Sequence, residues 1–159
     1  MEKSRKSEVL FWSIALPGFG QYLNGKVIKG TVLILLEFIV NVMSGLNYAI
    51  LPSFYGNIHE GIAHVDFQWL MFYPCLYLFA MWDAYRDAGG GTAPYAFLPF
   101  VFSAFVGTVG VVYSPVFNIN GVYLGVIWLP ILSLILGVFI GKMIQVLVIK
   151  WKKKNEVIK

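Results

Sequence analysis

Three groups of residues in this sequence have types and spacings that could do chemistry. The first is Glu37, an ionisable group inside the apolar run "TVLILLEFIVNVMSGLNYAIL". An acid at such a depth in a hydrocarbon environment is costly, which makes it a functional hypothesis by default. Asn41 lies one helical turn further along the same face, and Ser44 and Asn47 roughly continue a polar stripe. Such a stripe can line an ion or proton path, or it can hold helices together by hydrogen bonds. Glu37 is also close enough to the start of the run to reach Lys26, Lys29 or Arg86.

The second group is His59, Glu60, His64 and Asp66, in "SFYGNIHEGIAHVDF". A zincin helix needs two histidines at i and i+4 with a glutamate between them. Here the histidines are five apart and Gly61 intervenes, so that match fails. The reading is a polar loop with no metal site, and a looser metal or proton-sensing role is the alternative, since histidine titrates near neutral pH. The third group is Asp83, Arg86 and Asp87 in "WDAYRDAGGG". Asp83 and Arg86 share a helical face and can pair, and the glycines then end the helix. The segment is expected beside the turn "GQYLNGKVIKG", with Asp83 or Asp87 reaching Lys26 or Lys29. It reads as either a solvated helix end or a polar dock for a partner.

No serine, histidine and acid set and no cysteine and histidine pair falls on one side in an arrangement suited to nucleophilic catalysis. No catalytic residue and no cofactor is therefore expected. The single Cys75 excludes an intramolecular disulfide and an all-cysteine metal site.

Composition decides what must position these residues. The 159-residue chain is 58% hydrophobic and 13% charged, with a mean hydropathy of +0.73, whereas about a quarter of a soluble domain is charged. The reading is an all-α integral membrane protein forming a single membrane domain over residues 1–159. Its net charge of +4 sits at membrane-flanking positions, which points to anionic lipid headgroups and away from nucleic acid. Four stretches approach the roughly 20 apolar residues a crossing needs: Thr31–Leu51, Phe67–Trp82, Ala93–Tyr113 and Gly121–Gly141. All four are expected to be helical, because backbone in lipid must satisfy its own hydrogen bonds.

The apolar stretch Val9–Leu23 is different. Its 15 residues would reach only about 22 Å as a helix, short of the roughly 30 Å hydrocarbon core, and Pro17, Gly18 and Gly20 interrupt it. The expectation is a short re-entrant or interfacial helix before the four crossings. Charge agrees with it. With this topology all 12 lysines and arginines, from Lys3 to Lys159, fall on one side, and the loops Pro52–Asp66 and Ser114–Asn120 hold none. That is the positive-inside pattern and places both termini in the cytoplasm. No small-x-small cleavage site follows the short apolar run, so a secretory signal is not favoured.

The turn itself, "LPGFGQYLNGKVIKG", reads as a membrane turn at the cytoplasmic interface. Its glycines allow tight backbone angles and close helix approach. Gln21, Tyr22 and Asn24 can bond backbone groups freed by the broken helix, while Lys26 and Lys29 are expected to snorkel to headgroups. A phosphate-binding loop would need "GxxxxGK[ST]" after a strand, and the sequence offers neither.

The same residues carry a resemblance. Pro17, Gly18, Gly20, Gln21, Tyr22, Gly25, Lys29 and Gly30 match a G-x-G-Q-x-Y-x-G turn followed by K-G. Trp82, Asp83, Ala84, Tyr85, Arg86 and Ala88 match a segment of the type W-x-x-D-A-Y-R-x-A, here with no spacer after the tryptophan. Residues 8–90 thus resemble small bacterial multi-pass membrane proteins related to the two-transmembrane-helix domain family. The resemblance implies a helical membrane architecture in a bacterial cell membrane and assigns no activity. Residues 91–159 would then be an additional helix pair with a basic tail.

The later helices look built for packing. Gly121 and Gly125, and again Gly137 and Gly141, form small-xxx-small pairs that let backbones approach, within the chain or against another membrane protein or a second copy. Lys150 and Lys152–Lys154, around Trp151, read as an anchor on the inner leaflet. The functional expectation is a non-enzymatic accessory or scaffold subunit that binds other membrane proteins. The alternative is a small transporter or channel component with Glu37 in its path.

Overall fold

The structure, a computed structural model, describes residues 2–157 and the side chains of residues 5–155. Lys159 and the side chain of Lys3, both counted on the basic side above, lie outside the described residues. The chain is mostly helical, at 77%, and all-α in class. Among the described residues, two helices are long and apolar enough, by length and composition, to cross a membrane.

The first helix, α1 (Glu2–Ala15), is polar along its first half and apolar along its second. It stops at Leu16-Pro17-Gly18, where proline cannot continue the hydrogen-bond ladder and Gly18 takes φ 105°. Any side chain at Gly18 would lie 2.6 Å from Ile34 and 2.7 Å from the Gly30 carbonyl, so glycine is required by backbone angle and contact together. The five-residue α2 (Phe19–Leu23) follows, and Gly25 at φ 71° turns the chain into α3 (Val27–Ser44).

Here the sequence expectation needs its first correction. The run Thr31–Leu51 is not one helix. It breaks at Gly45, which adopts φ 69° and donates its N–H to the Asn41 and Val42 carbonyls, a left-handed C-cap. The chain redirects into α4 (Leu46–Phe54) and α5 (Ile58–Ala63), so part of the presumed outer loop is helical. The bend is held by Asp66, whose N–H donates to the Ser44 carbonyl at 2.9 Å. The Asp66 side chain then caps α6 (Phe67–Leu70) by accepting from the Gln68 and Trp69 amides.

After Met71 the chain continues as α7 (Phe72–Asp87), with Pro74 inside the first turn, where its missing N–H costs nothing. This helix runs past Trp82 and carries the whole Asp83–Asp87 segment. The third apolar stretch becomes helical only at α8 (Leu98–Tyr113), which starts with proline in its first turn. A two-residue antiparallel hairpin, β1 (Asn118–Ile119) with β2 (Val122–Tyr123), leads to α9 (Gly125–Val157). At 33 residues α9 is about 50 Å long. It continues far beyond Gly141 and carries the basic tail on one continuous helix.

Packing follows the small residues. α8 lies along α9, α7 against α8, and α3 against α7, while α1 and α2 sit on α7, and α4 and α5 on α9. A Cβ on Gly137 would lie 2.5 Å from the Ser103 Cα, and one on Gly141 would lie 2.5 Å from the Leu98 carbonyl. These two glycines therefore bring α9 against α8 inside the chain, as close-packed small residues do. Gly121 is a second correction. It occupies the hairpin turn at φ 86° with nothing within 4 Å of a would-be Cβ, so it packs no helix. Gly125, at φ 65°, starts α9 against Ile58. A core of Leu46, Ala49, Leu70, Val111, Val126 and Ile127 gathers at the hairpin end. Large apolar side chains such as Ile28, Phe38 and Phe139 point outward.

Candidate functional site: a polar clamp at the basic end

The residues singled out in the turn and in "WDAYRD" meet in one cluster. Asp83 is its hub and is 4% exposed. Its carboxylate accepts from Lys29 Nζ at 3.0 and 3.2 Å, from Gln21 Nε2 at 3.2 Å and from Arg86 Nη2 at 3.1 Å. Lys29 Nζ also donates to Asp87 Oδ2 at 2.9 Å. Gln21, fully buried, donates to the Ala80 carbonyl at 2.9 Å, and Asn24 Nδ2 donates to the Ala84 carbonyl at 2.8 Å.

Local sequence explains the fit. Gly20 faces α7 so closely that a Cβ would lie 2.7 Å from the Ala84 Cβ and 3.0 Å from the Val9 carbonyl, and would collide with Ser13 Oγ. Small residues on both sides thus let the broken turn lie flat on α7, where the Gln21 and Asn24 side-chain amides bond to carbonyls of that helix. Gly30 lies against the Tyr22 ring, and the Tyr22 hydroxyl donates to Thr31 Oγ1 at 2.7 Å while Thr31 donates to the Val27 carbonyl. Pro17 is fully buried. Lys29 is held by two carboxylates one helical turn apart on α7, Asp83 and Asp87, through charge-assisted hydrogen bonds. It is Lys29, rather than Lys26, that reaches the Asp83 segment.

Glu37 lies elsewhere, near the middle of α3, and Asn41 in its last turn. Glu37 Oε1 accepts from the Tyr73 hydroxyl at 3.1 Å, and among the described residues no lysine or arginine forms an ion pair with it. The Tyr73 ring stacks on Tyr77 with centroids 6.0 Å apart, and the Tyr77 hydroxyl donates to the Ile14 carbonyl near the end of α1. Sequence reasoning missed both tyrosines. Their signal was their i, i+4 spacing inside an apolar run, opposite the lone acid. The Asn41 side-chain oxygen is buried without a partner, and the Asn41 carbonyl accepts from Ser44 Oγ.

The loop ligands do not converge. His59 stacks edge-on against Tyr123 at 4.8 Å, His64 faces Tyr48 at 6.4 Å, and Asp66 caps α6. Among the described residues no three histidine, cysteine or acidic side chains could share a metal ion.

A groove of about 480 Å³ runs between α4, α7 and α9, lined by residues including Leu46, Ile50, Tyr73, Tyr77, Ile131 and Ile135. Glu37 does not line it. No family model, no curated protein and no solved structure matches the chain.

Proposed function

We propose that the chain is a multi-pass protein of a bacterial cell membrane that acts as a non-enzymatic accessory or scaffold subunit. In this reading α3, α7, α8 and α9 cross the bilayer and α1–α2 forms a re-entrant element. Both termini are cytoplasmic, and the basic tail of α9 meets anionic lipid. The charge distribution and the resemblance of residues 8–90 to the two-transmembrane-helix domain family support it.

One observation carries the functional part. The chemistry-bearing side chains of the turn and of "WDAYRD" bond to one another around Asp83, which is how a structural clamp is built. Because Gly137 and Gly141 are occupied by α8, partner binding falls to outward faces such as those of Phe38 and Phe139, 63% and 65% exposed.

The test is mild extraction from the native membrane followed by mass spectrometry of whatever accompanies the protein. A stoichiometric polypeptide that is lost in Phe38→Ala or Phe139→Ala supports the subunit reading. A protein that comes out alone, in amounts unchanged by those substitutions, sinks it. The transport alternative draws on Glu37 and its Tyr73 partner, but the groove beside Tyr73 is lined almost wholly by apolar residues, a poor path for ions.

A further inference from the structure

The groove between α4, α7 and α9 has a length and a lining that suit one kind of occupant. From Val126 to Ile135, the lining residues furthest apart on α9, the helix rises about 13 Å. An apolar slot of that length suits an extended hydrocarbon chain. Its length also suits half of a hydrocarbon core about 30 Å thick, and it occupies the half of α9 nearest the hairpin.

Its chemistry agrees. Tyr73 and Tyr77 bring the polar side-chain groups of the lining, and both hydroxyls already have partners, Glu37 and the Ile14 carbonyl. The rest of the lining is aliphatic side chains, two prolines and Phe54. At its hairpin end the Phe54 ring packs tilted against Trp128 at 4.8 Å, and Trp128 Nε1 donates to the Ser53 carbonyl, closing that end with α4. Beside it, Ile58 of α5 abuts Gly125, next to the lining residue Val126, and α5 carries Glu60 in its first turn. The segments 52–66 and 114–125 around this end contain Glu60 and Asp66 and no lysine or arginine. A headgroup seated there would be favoured by carrying an ammonium.

We propose that this groove is a lipid site: it holds one acyl chain of an outer-leaflet phospholipid with an ammonium headgroup, such as phosphatidylethanolamine. The proposal rests on the membrane topology given under Proposed function, and it does not depend on the subunit role.

The full chain would be reconstituted in phosphatidylglycerol vesicles containing a trace of phosphatidylethanolamine with a photoreactive diazirine on one acyl chain. A phosphatidylglycerol probe with the same chain serves as the comparison. Adducts are mapped by mass spectrometry after irradiation. The expected result is saturable labelling of the Tyr73–Tyr77 and Ile131–Ile135 peptides, several-fold stronger with the ethanolamine probe. Ile131→Trp, which fills the groove from an exposed rim position, should cut it about tenfold, the worth of two or so methylenes displaced. Ile50→Trp on the opposite wall provides the same test if Ile131→Trp does not fold. Labelling at Phe38 and Phe139 should be linear in probe and unchanged by either variant.

Groove labelling that does not saturate, or that survives both variants, overturns the lipid site. Equal labelling by the two probes overturns it as well. Absence of labelling at Phe38 and Phe139 is a different failure, because it overturns the membrane topology itself.

Discussion

Lys29 and Asp83, 54 positions apart in the chain, meet at 3.0 Å, and through that contact the first turn of α3 is tied to the end of α7. The two sides of the pair are unequal. Asp83 is nearly buried, with 6% of its side chain exposed, whereas Lys29 is half exposed at 46%. Removing the acid leaves Gln21 without one of its acceptors in a closed site, while removing the lysine leaves Asp83 with Gln21 and Arg86. Asp83→Ala is accordingly expected to cost about 2–3 kcal/mol, and Lys29→Ala about 1 kcal/mol or less after solvent screening. Thermal unfolding in detergent, with protease access to residues 5–26 as a local readout, measures both. Lys29→Ala costing more than Asp83→Ala would remove Asp83 from the centre of the clamp.

Glu37 and Tyr73 offer a second asymmetry. Glu37→Gln keeps an oxygen for the Tyr73 hydroxyl, whereas Tyr73→Phe leaves the acid without that donor. Tyr73→Phe should destabilise by about 1–2 kcal/mol and Glu37→Gln by less. If Glu37→Gln instead abolished an ion flux in liposomes while stability stayed level, the acid would be part of a conducting path and the structural role would fail.

The interface between α8 and α9 leaves no room for a methyl group at Gly137 or Gly141, where the atoms met are backbone. Alanine at either site should cost about 1–3 kcal/mol through forced separation of the helices. Gly121→Ala, with open space around it but φ 86°, should cost only the left-handed strain of about 1–2 kcal/mol. Melting temperatures that rank Gly121→Ala as the most damaging of the three would contradict the close packing of α8 on α9.

Topology can be read with cysteines. After Cys75→Ser, Glu60→Cys and Lys154→Cys should react with a membrane-impermeant maleimide from opposite faces, Glu60→Cys in intact spheroplasts and Lys154→Cys only after permeabilisation. Labelling of both in intact spheroplasts would rule out an odd number of crossings between them.

Much of this was legible in the residues alone, for reasons of locality. A 58% apolar chain must be helical where it meets lipid, because each backbone amide then finds its partner within four residues. Pro17 and Gly18 must break the first apolar stretch, because proline's ring and missing N–H act at their own position. A meeting of Asp83 or Asp87 with Lys26 or Lys29 was also expected, since acids and bases flanking apolar runs have few other charges to pair with; the structure selects Lys29. What only the tertiary structure decided depends on contacts between distant segments. Gly45 ends α3 because His64 and Asp66 pack against the bend, while the hydropathy of Thr31–Leu51 gives no sign of a break. Gly121 and Gly137 stand in the same small-xxx-small pattern, yet one turns a hairpin and the other seats a helix, because spacing records which residues are small and not what lies opposite them. Tyr73 and Tyr77 became the partners of Glu37 and Ile14 only when α7 was laid between α3 and α1, and the groove beside them exists only in the gap left among three helices.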